Sequence, residues 1–337
     1  MAQDINSIAR EADRSLSAAD AQRAISLCTK GAIDDGIALY RQVLEAKNAR
    51  AESLRLPVGI HLQCLEQLGL EQVAQIIRRD GLQAGQNLNV RQALGKPSGA
   101  VVEEYRELFA RGVVNSAMVA DFLVQLSKLG KRAEMEPFLD AEQLVRRTVL
   151  PIDDGENFWR RLAAVLLHRR TDENFRPAAQ SVRGMHKIAI AKLPDSGVQR
   201  VLIEIDQEVR RYIADLRASG RSPAGWIPER FSIDPWALIS TGHGYNTPHI
   251  HPIGWISGVL YVSGPDEIGD DGCPIGALRI GPPEGVDNPE GWPNLAVAPR
   301  PGTLILFPAY FTHWTVPIGK PALRISIAFD VVDFRSG

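Results

Sequence analysis

The sequence predicts an α+β protein: a helical N-terminal region followed by a sandwich or barrel of antiparallel strands. Three observations predict it. Composition changes near residue 220, with sixteen of the 22 prolines and five of the six tryptophans beyond that point. Proline lacks an amide donor and clashes with the preceding helical turn, so the later part cannot be mainly helical. Before that point, apolar residues recur at helical spacing between short polar joints. After it, short apolar runs alternate with Gly, Pro, Asp and Asn, which is the pattern of strands and turns.

In the helical part, Ile37, Tyr40, Val43 and Leu44 form one apolar face, and Val119, Phe122, Leu123 and Leu126 form another. A loose repeat runs through it. Leu27–Gly31 leads into Ile33, Ile37 and Tyr40; Leu65–Gly69 leads into Val73 and Ile76; Leu126–Gly130 leads into Ala133 and Phe138. Each reads as a helix, a glycine turn and a second helix. The pattern resembles the helical hairpins of tetratricopeptide-type repeats, in degenerate form, and implies a groove for a peptide or protein. A plain helical scaffold or a homodimerisation region is the competing reading. This helical domain is assigned to residues 1–180, and the β domain to 181–337.

The β domain opens with a strand at Met185–Ala191 and an amphipathic helix at Val198–Leu216, whose face is Val201, Ile205, Val209, Tyr212, Ile213 and Leu216. Further strands are expected at Trp236–Thr241, Thr247–His251, Ile256–Ser263, Gly276–Ile280, Leu295–Ala298, Gly302–Phe307, Thr312–Val316 and Leu323–Val332.

Candidate chemistry lies on those strands. Side chains alternate along a strand, so His249 and His251 project to one side. His313 comes after a turn, and Arg324 and Ser326 share a face of the last strand. Imidazole suits iron, copper, zinc or nickel, and three ligands leave coordination positions open. An arginine facing inward from an apolar strand needs an anion, and its planar cation matches a carboxylate through two hydrogen bonds. Tyr261 offers a further hydroxyl. His243, Tyr245, Asn246, Trp255 and Trp314 lie near these residues in sequence and are the expected substrate pocket.

Two stretches carry a family resemblance: His249-Ile250-His251-Pro252-Ile253-Gly254-Trp255-Ile256-Ser257-Gly258 with the strand after it, and Pro301–Pro308 ahead of His313. They resemble bacterial 2-oxoglutarate/Fe(II)-dependent oxygenases and, more distantly, prolyl hydroxylases. The resemblance spans roughly residues 183–334. It implies a double-stranded β-helix (jelly-roll) barrel, with Fe(II), 2-oxoglutarate as co-substrate and O2. It also implies hydroxylation, or a related oxidation, of an unactivated C–H in a peptide, protein or small metabolite, with release of succinate and CO2. By position, His249 and His313 match the iron-binding histidines, and Arg324 and Ser326 the pair that grips the co-substrate. His251 stands where the wider superfamily has an acid, and is expected as a third ligand. An acid from the Asp266–Asp271 loop is the alternative, but that loop reads as a solvated turn.

Two rival readings are a cupin-like three-histidine dioxygenase without 2-oxoglutarate and a non-catalytic protein-binding module. Cupins expect a glutamate soon after His-x-His, and Pro252–Gly258 has none.

Composition narrows the partners. A formal net charge of −2 supplies no basic field, so nucleic acid is not expected. No apolar run approaches a membrane span. Three dispersed cysteines lack a paired spacing, and the N-terminus has neither a basic start nor an apolar core, so a reducing cytoplasm is expected.

Overall fold

The computed structural model describes residues 98–110, 114–152, 155–179, 181–220, 225–252, 254–269, 272–284, 286 and 289–333, together with Asp35 and Leu39. The chain divides into two compact units, Met1–Pro97 and Ser98–Gly337. Apart from Asp35 and Leu39, the hairpins expected at Leu27–Tyr40 and Leu65–Ile76 lie outside the described residues.

The second unit begins with helices α1 (Ser98–Ala110), α2 (Ser116–Lys128), α3 (Arg132–Leu139) and α4 (Ala141–Leu144). The hairpin expected at Leu126–Gly130 is present. Asn115 caps α2, its side chain accepting from the Met118 N–H at 3.0 Å. Gly130 ends it at φ 68°, where the absence of a Cβ removes the usual steric penalty. The Lys131 N–H donates to Leu126 O at 2.9 Å and the Gly130 N–H to Ser127 O at 3.0 Å, the paired bonds of a Schellman motif.

The strands are β1 (Arg146–Val149), β2 (Phe175–Ala179), β3 (Val182–Ala189), β4 (Phe231–Ser240), β5 (Tyr245–Asn246), β6 (Ile256–Ser263), β7 (Leu278–Ile280), β8 (Leu295–Val297), β9 (Thr303–Pro308), β10 (His313–Thr315) and β11 (Arg324–Asp333). Helix α5 (Gly155–His168) comes after β1, and α6 (Ser196–Ala218) after β3. A large antiparallel sheet runs β1-β9-β6-β11-β4-β3-β2, with β5 added beside β3. A small antiparallel sheet runs β10-β7-β8. This mixture of helix and antiparallel sheet fits a double-stranded β-helix.

Helix α6 buries Val198, Val201, Ile205, Val209, Tyr212, Ile213 and Leu216, the stripe expected from its spacing. Each such side chain contributes about 1.5–3 kcal/mol. The first helices are bonded to the loops flanking β6 and β9 and to helix α6. Ser116 donates to Gly254 O at 2.5 Å, Tyr310 to Phe138 O at 2.9 Å, and Tyr212 to Leu144 O at 2.5 Å.

Two expectations need amending. Strands β1 and β2 fall in the stretch read as helical, so the sheet takes up chain on both sides of the 180/181 division. Their short, half-exposed sequences, Arg-Arg-Thr-Val and Phe-Arg-Pro-Ala-Ala, carry too little apolar alternation to be seen. Thr247–His251 is not a regular strand. Its contact is an isolated bridge between His249 and His313. Pro248 and Pro252 lack the N–H groups that a continuous ladder needs.

Strand β11 sits between β4 and β6. One of its faces carries Ile325, Ile327, Phe329 and Val331, all fully buried. The other carries Arg324, Ser326, Ala328 and Asp330. In register with these four lie Ser240, Leu238, Trp236 and Asp234 on β4; on β6, Tyr261, Val259 and Ser257 face Ser326, Ala328 and Asp330. Packing on the apolar face is tight: a Cβ added to Gly258 would lie 2.1 Å from Phe329 Cζ. Gly258→Ala is expected to destabilise the protein by about 1–3 kcal/mol, read as a lowered urea midpoint. An unchanged midpoint would show that Phe329 can move aside.

Among the described residues, no helix is long and apolar enough to cross a membrane.

Candidate metal and co-substrate site

Main-chain bonds bring the three histidines together. The His249 N–H donates to His313 O at 3.1 Å, and the His313 N–H donates to His249 O at 2.9 Å. Residues directly opposite in such a pair share a face. The His251 N–H donates to Ala309 O at 2.9 Å, holding the next turn of the segment against the end of β9. Ring centroids lie 4.2 Å apart for His249 and His313, 5.1 Å for His249 and His251, and 5.0 Å for His251 and His313.

Each ring has its Nδ1 engaged. His249 Nδ1 lies 2.7 Å from Thr247 O, and His313 Nδ1 lies 3.0 Å from Phe311 O. His251 Nδ1 lies 2.6 Å from both carboxylate oxygens of Asp330. A carbonyl or carboxylate oxygen only accepts, so these bonds place the proton on Nδ1 and leave each Nε2 with its lone pair. One ligand atom from each of the three lies within 4.8 Å of the others. His249 Nε2 and His251 Nε2 are 3.1 Å apart, and two lone pairs at that distance repel unless a cation or proton lies between them. The donor set therefore fits a metal ion.

Desolvation keeps two of these rings neutral. His249 retains some solvent access, yet crowding by protein atoms and then by the His251 ring lowers its pKa to about 3. Burial, with the His249 and His251 rings beside it, holds His313 well below the ordinary imidazole value. An unfolded chain takes up protons on these two histidines below about pH 6.5, where the folded rings of His249 and His313 refuse them. Metal-free protein should keep this stability above that pH and lose it as pH falls towards 3. At pH 5 the loss from His249 alone is about 2 kcal/mol. Urea midpoints at pH 7.5 and pH 5 check this, and equal midpoints would contradict neutral rings at His249 and His313.

A cationic pocket lies on the β11 face that carries Asp330. Arg324 is buried and bonded only to uncharged groups: Gly276 O and Val316 O at 3.3 Å, Gly244 O at 3.0 Å and Met185 Sδ at 3.4 Å. Among the described residues no carboxylate pairs with it. Desolvation pulls its pKa down, the direction expected of a cation without a counter-ion. Ser326, two residues on, is buried opposite Tyr261. The buried Tyr261 hydroxyl has no hydrogen-bond partner among the described residues. Burial raises its pKa to about 12, with the nearby Arg324 charge opposing. A β-bulge separates Ile325 from Ser326 in the pairing with β6 and aims this corner of the sheet. A buried cation and an unbonded hydroxyl fit an incoming carboxylate.

The expected pocket residues are more dispersed. His243 is exposed in a turn. Tyr245 and Asn246 make up β5, where Asn246 donates through its amide N–H to Thr315 Oγ1 at 2.8 Å and through Nδ2 to Ser181 Oγ at 3.2 Å. Trp255 leads into β6, its N–H donating to Val331 O at 2.8 Å. Trp314 alternates with His313 and packs over the Arg279 guanidinium, 5.9 Å from the ring centroid.

Three residues near the histidines were not anticipated. Asp330 holds His251. Trp236 stacks on the same ring, with centroids 5.9 Å apart and planes 14° apart. Lys187 places its Nζ 4.4 Å from the Trp236 centroid, and burial lowers its pKa. Asp330 had a visible signal, since it continues the period-two polar face of Arg324 and Ser326.

The family described as "Putative 2OG-Fe(II) oxygenase" matches residues 234–330. No curated protein matches the chain. Among solved structures it is similar to a Pseudomonas putida prolyl-4-hydroxylase, at 17% identity and TM-score 0.41, over 58% of this chain and 96% of that one. It is similar also to a Trichoplax adhaerens prolyl hydroxylase in complex with a hypoxia-inducible-factor peptide fragment, at 15% identity and TM-score 0.40, over 61% and 92% of the two chains. A third is HygX from Streptomyces hygroscopicus with nickel, 2-oxoglutarate and hygromycin B bound, at 11% identity and TM-score 0.38, over 58% and 85%. Residues 234–330 thus resemble a 2-oxoglutarate/Fe(II) oxygenase domain, and Fe(II) with 2-oxoglutarate is the cofactor set that goes with that family.

Proposed function

We propose that this protein hydroxylates, or otherwise oxidises, an unactivated C–H of a peptide, protein or small-metabolite substrate, converting 2-oxoglutarate to succinate and CO2. One observation carries the reading: a buried arginine with no carboxylate partner shares a strand face with the residue that holds a metal-ready histidine. His249, His251 and His313 would hold the iron through Nε2, and Arg324, Ser326 and Tyr261 would hold the far carboxylate of 2-oxoglutarate. When bound, iron and co-substrate supply the oxidising chemistry with O2.

The protein's own contribution is positional. The Nδ1 bonds fix the three rings before any ligand arrives, so little reorganisation is needed on binding. Arg324 offers parallel N–H donors that select a carboxylate by geometry. Tyr261 adds a donor that is otherwise unmet in the core, and a buried polar group left unbonded costs about 1–3 kcal/mol. The apolar neighbours Met185, Leu238 and Ala328 pack against one another on this face and keep water from the arginine.

The test is an anaerobic titration of the protein with Fe(II) and then 2-oxoglutarate, followed by the weak visible charge-transfer band of the chelate, with succinate measured after O2 is admitted. Iron binding without any response to 2-oxoglutarate would favour the three-histidine dioxygenase that needs no keto acid. Failure to bind iron would favour a non-catalytic module.

A further inference from the structure

A histidine where the wider superfamily has an acid leaves a three-imidazole site with no negative charge of its own. The carboxylate is displaced, not missing. Asp330 Oδ1 and Oδ2 both lie 2.6 Å from His251 Nδ1. The carboxylate is itself oriented, since Ser257 Oγ donates to Oδ1 at 2.9 Å. Ser257 and Asp330 are register partners on β6 and β11, so regular sheet pairing sets this geometry. Gly254 makes room for it: a Cβ there would stand 3.3 Å from Asp330 Cγ. Trp236 stacked on the His251 ring holds its plane. Among the described residues no Lys or Arg nitrogen lies within salt-bridge reach of Asp330; its charge is felt by Lys187, but its direct contact is this ring.

We propose that Asp330 is the charge-bearing positioning residue of the metal centre, acting through His251. This rests on the three-histidine reading above. The carboxylate fixes the proton on Nδ1, turns the Nε2 lone pair towards the other rings, and raises the ring's power to donate to a cation. A carboxylate ligand at position 251 would supply the same charge directly. Position 251 and position 330 then form a coupled pair: one imidazole and one carboxylate suit the site, and two carboxylates do not.

Co(II) titration of the full-length protein tests this, because the visible bands of Co(II) report its ligand set without turnover. Asp330→Asn keeps the shape and removes the charge. It should weaken Co(II) binding about 10- to 100-fold and shift the bands, while the metal-free melting temperature stays within a few degrees. His251→Asp should also bind poorly, with two carboxylates face to face. The deciding variant is His251→Asp/Asp330→Asn, which should bind Co(II) at least about tenfold more tightly than His251→Asp alone, the opposite sign to the effect of Asp330→Asn on the native background. A merely structural Asp330 would harm both backgrounds alike. The proposal is overturned if Asp330→Asn keeps native affinity and bands, or if the double variant binds no better than His251→Asp. Should Asp330→Asn fail to fold, the double variant decides. His313→Ala separates the two levels: native Co(II) binding there would refute the metal site itself, whereas its loss alongside an indifferent Asp330→Asn refutes only the role of Asp330.

Discussion

Arg324→Ala should raise the 2-oxoglutarate concentration needed for half-maximal succinate formation by roughly 30- to 5,000-fold, while Fe(II) still binds. The range comes from about 2–5 kcal/mol for truncating one partner of a buried, hydrogen-bonded charge pair. In the free protein the guanidinium is held by three backbone carbonyls and a sulfur, with no carboxylate. Those carbonyls lose donors in the variant, so the metal-free melting temperature must be followed in parallel. Arg324→Lys keeps the charge but loses the planar fork, and should fall between the two. An unchanged co-substrate requirement in a folded Arg324→Ala protein would remove the reason for assigning 2-oxoglutarate to this corner.

A chain begun at residue 181 should fail to give a soluble, metal-binding protein, whereas one begun at Ser98 should succeed. The shorter chain lacks β1, which pairs with β9 at all four of its residues, and so exposes an edge beside a fully buried strand. It also lacks Ser116 and Phe138, which bond to Gly254, three residues after His251, and to Tyr310, three residues before His313. An unpaired apolar edge invites association between chains. Solubility, heteronuclear NMR dispersion and Co(II) binding compare the two chains. A well-folded 181–337 protein would show that the preceding helices only decorate the sheet.

The parts of the site that were legible in the sequence are those that conflict with their surroundings. Arg324 interrupts an apolar run, and three histidines in strand-like sequence have no packing reason to be there, so physical chemistry alone marks them. Asp330 obeys the same period, but its partner His251 is 79 residues away, and nothing local announces the contact. Trp314 shows the reverse. Nearness to His313 along the chain suggested the pocket, whereas the alternation of β10 turns it towards Arg279. Strands β1 and β2 were invisible because an exposed edge places few demands on side chains. The prolines flanking His249–His251 were present in the sequence, and they explain why that segment meets its neighbour through a bridge and not a ladder.

The two halves of the site differ in mechanical character. Arg324, Ser326 and Asp330 ride on a strand paired on both sides, over ten residues with β4 and seven with β6. Their amides should be among the slowest to exchange with deuterium, opening only when the whole domain unfolds. His249 and His251, between two prolines, are tied to neighbouring elements by three main-chain bonds, apart from the local Gly254 N–H to His251 O. That half should open by local fluctuation, so a metal and co-substrate bound as proposed would meet a rigid wall and a yielding one. On the proposed reading, release of iron should then be limited by the breathing of residues 247–252, with the wall proposed to hold the keto acid still intact.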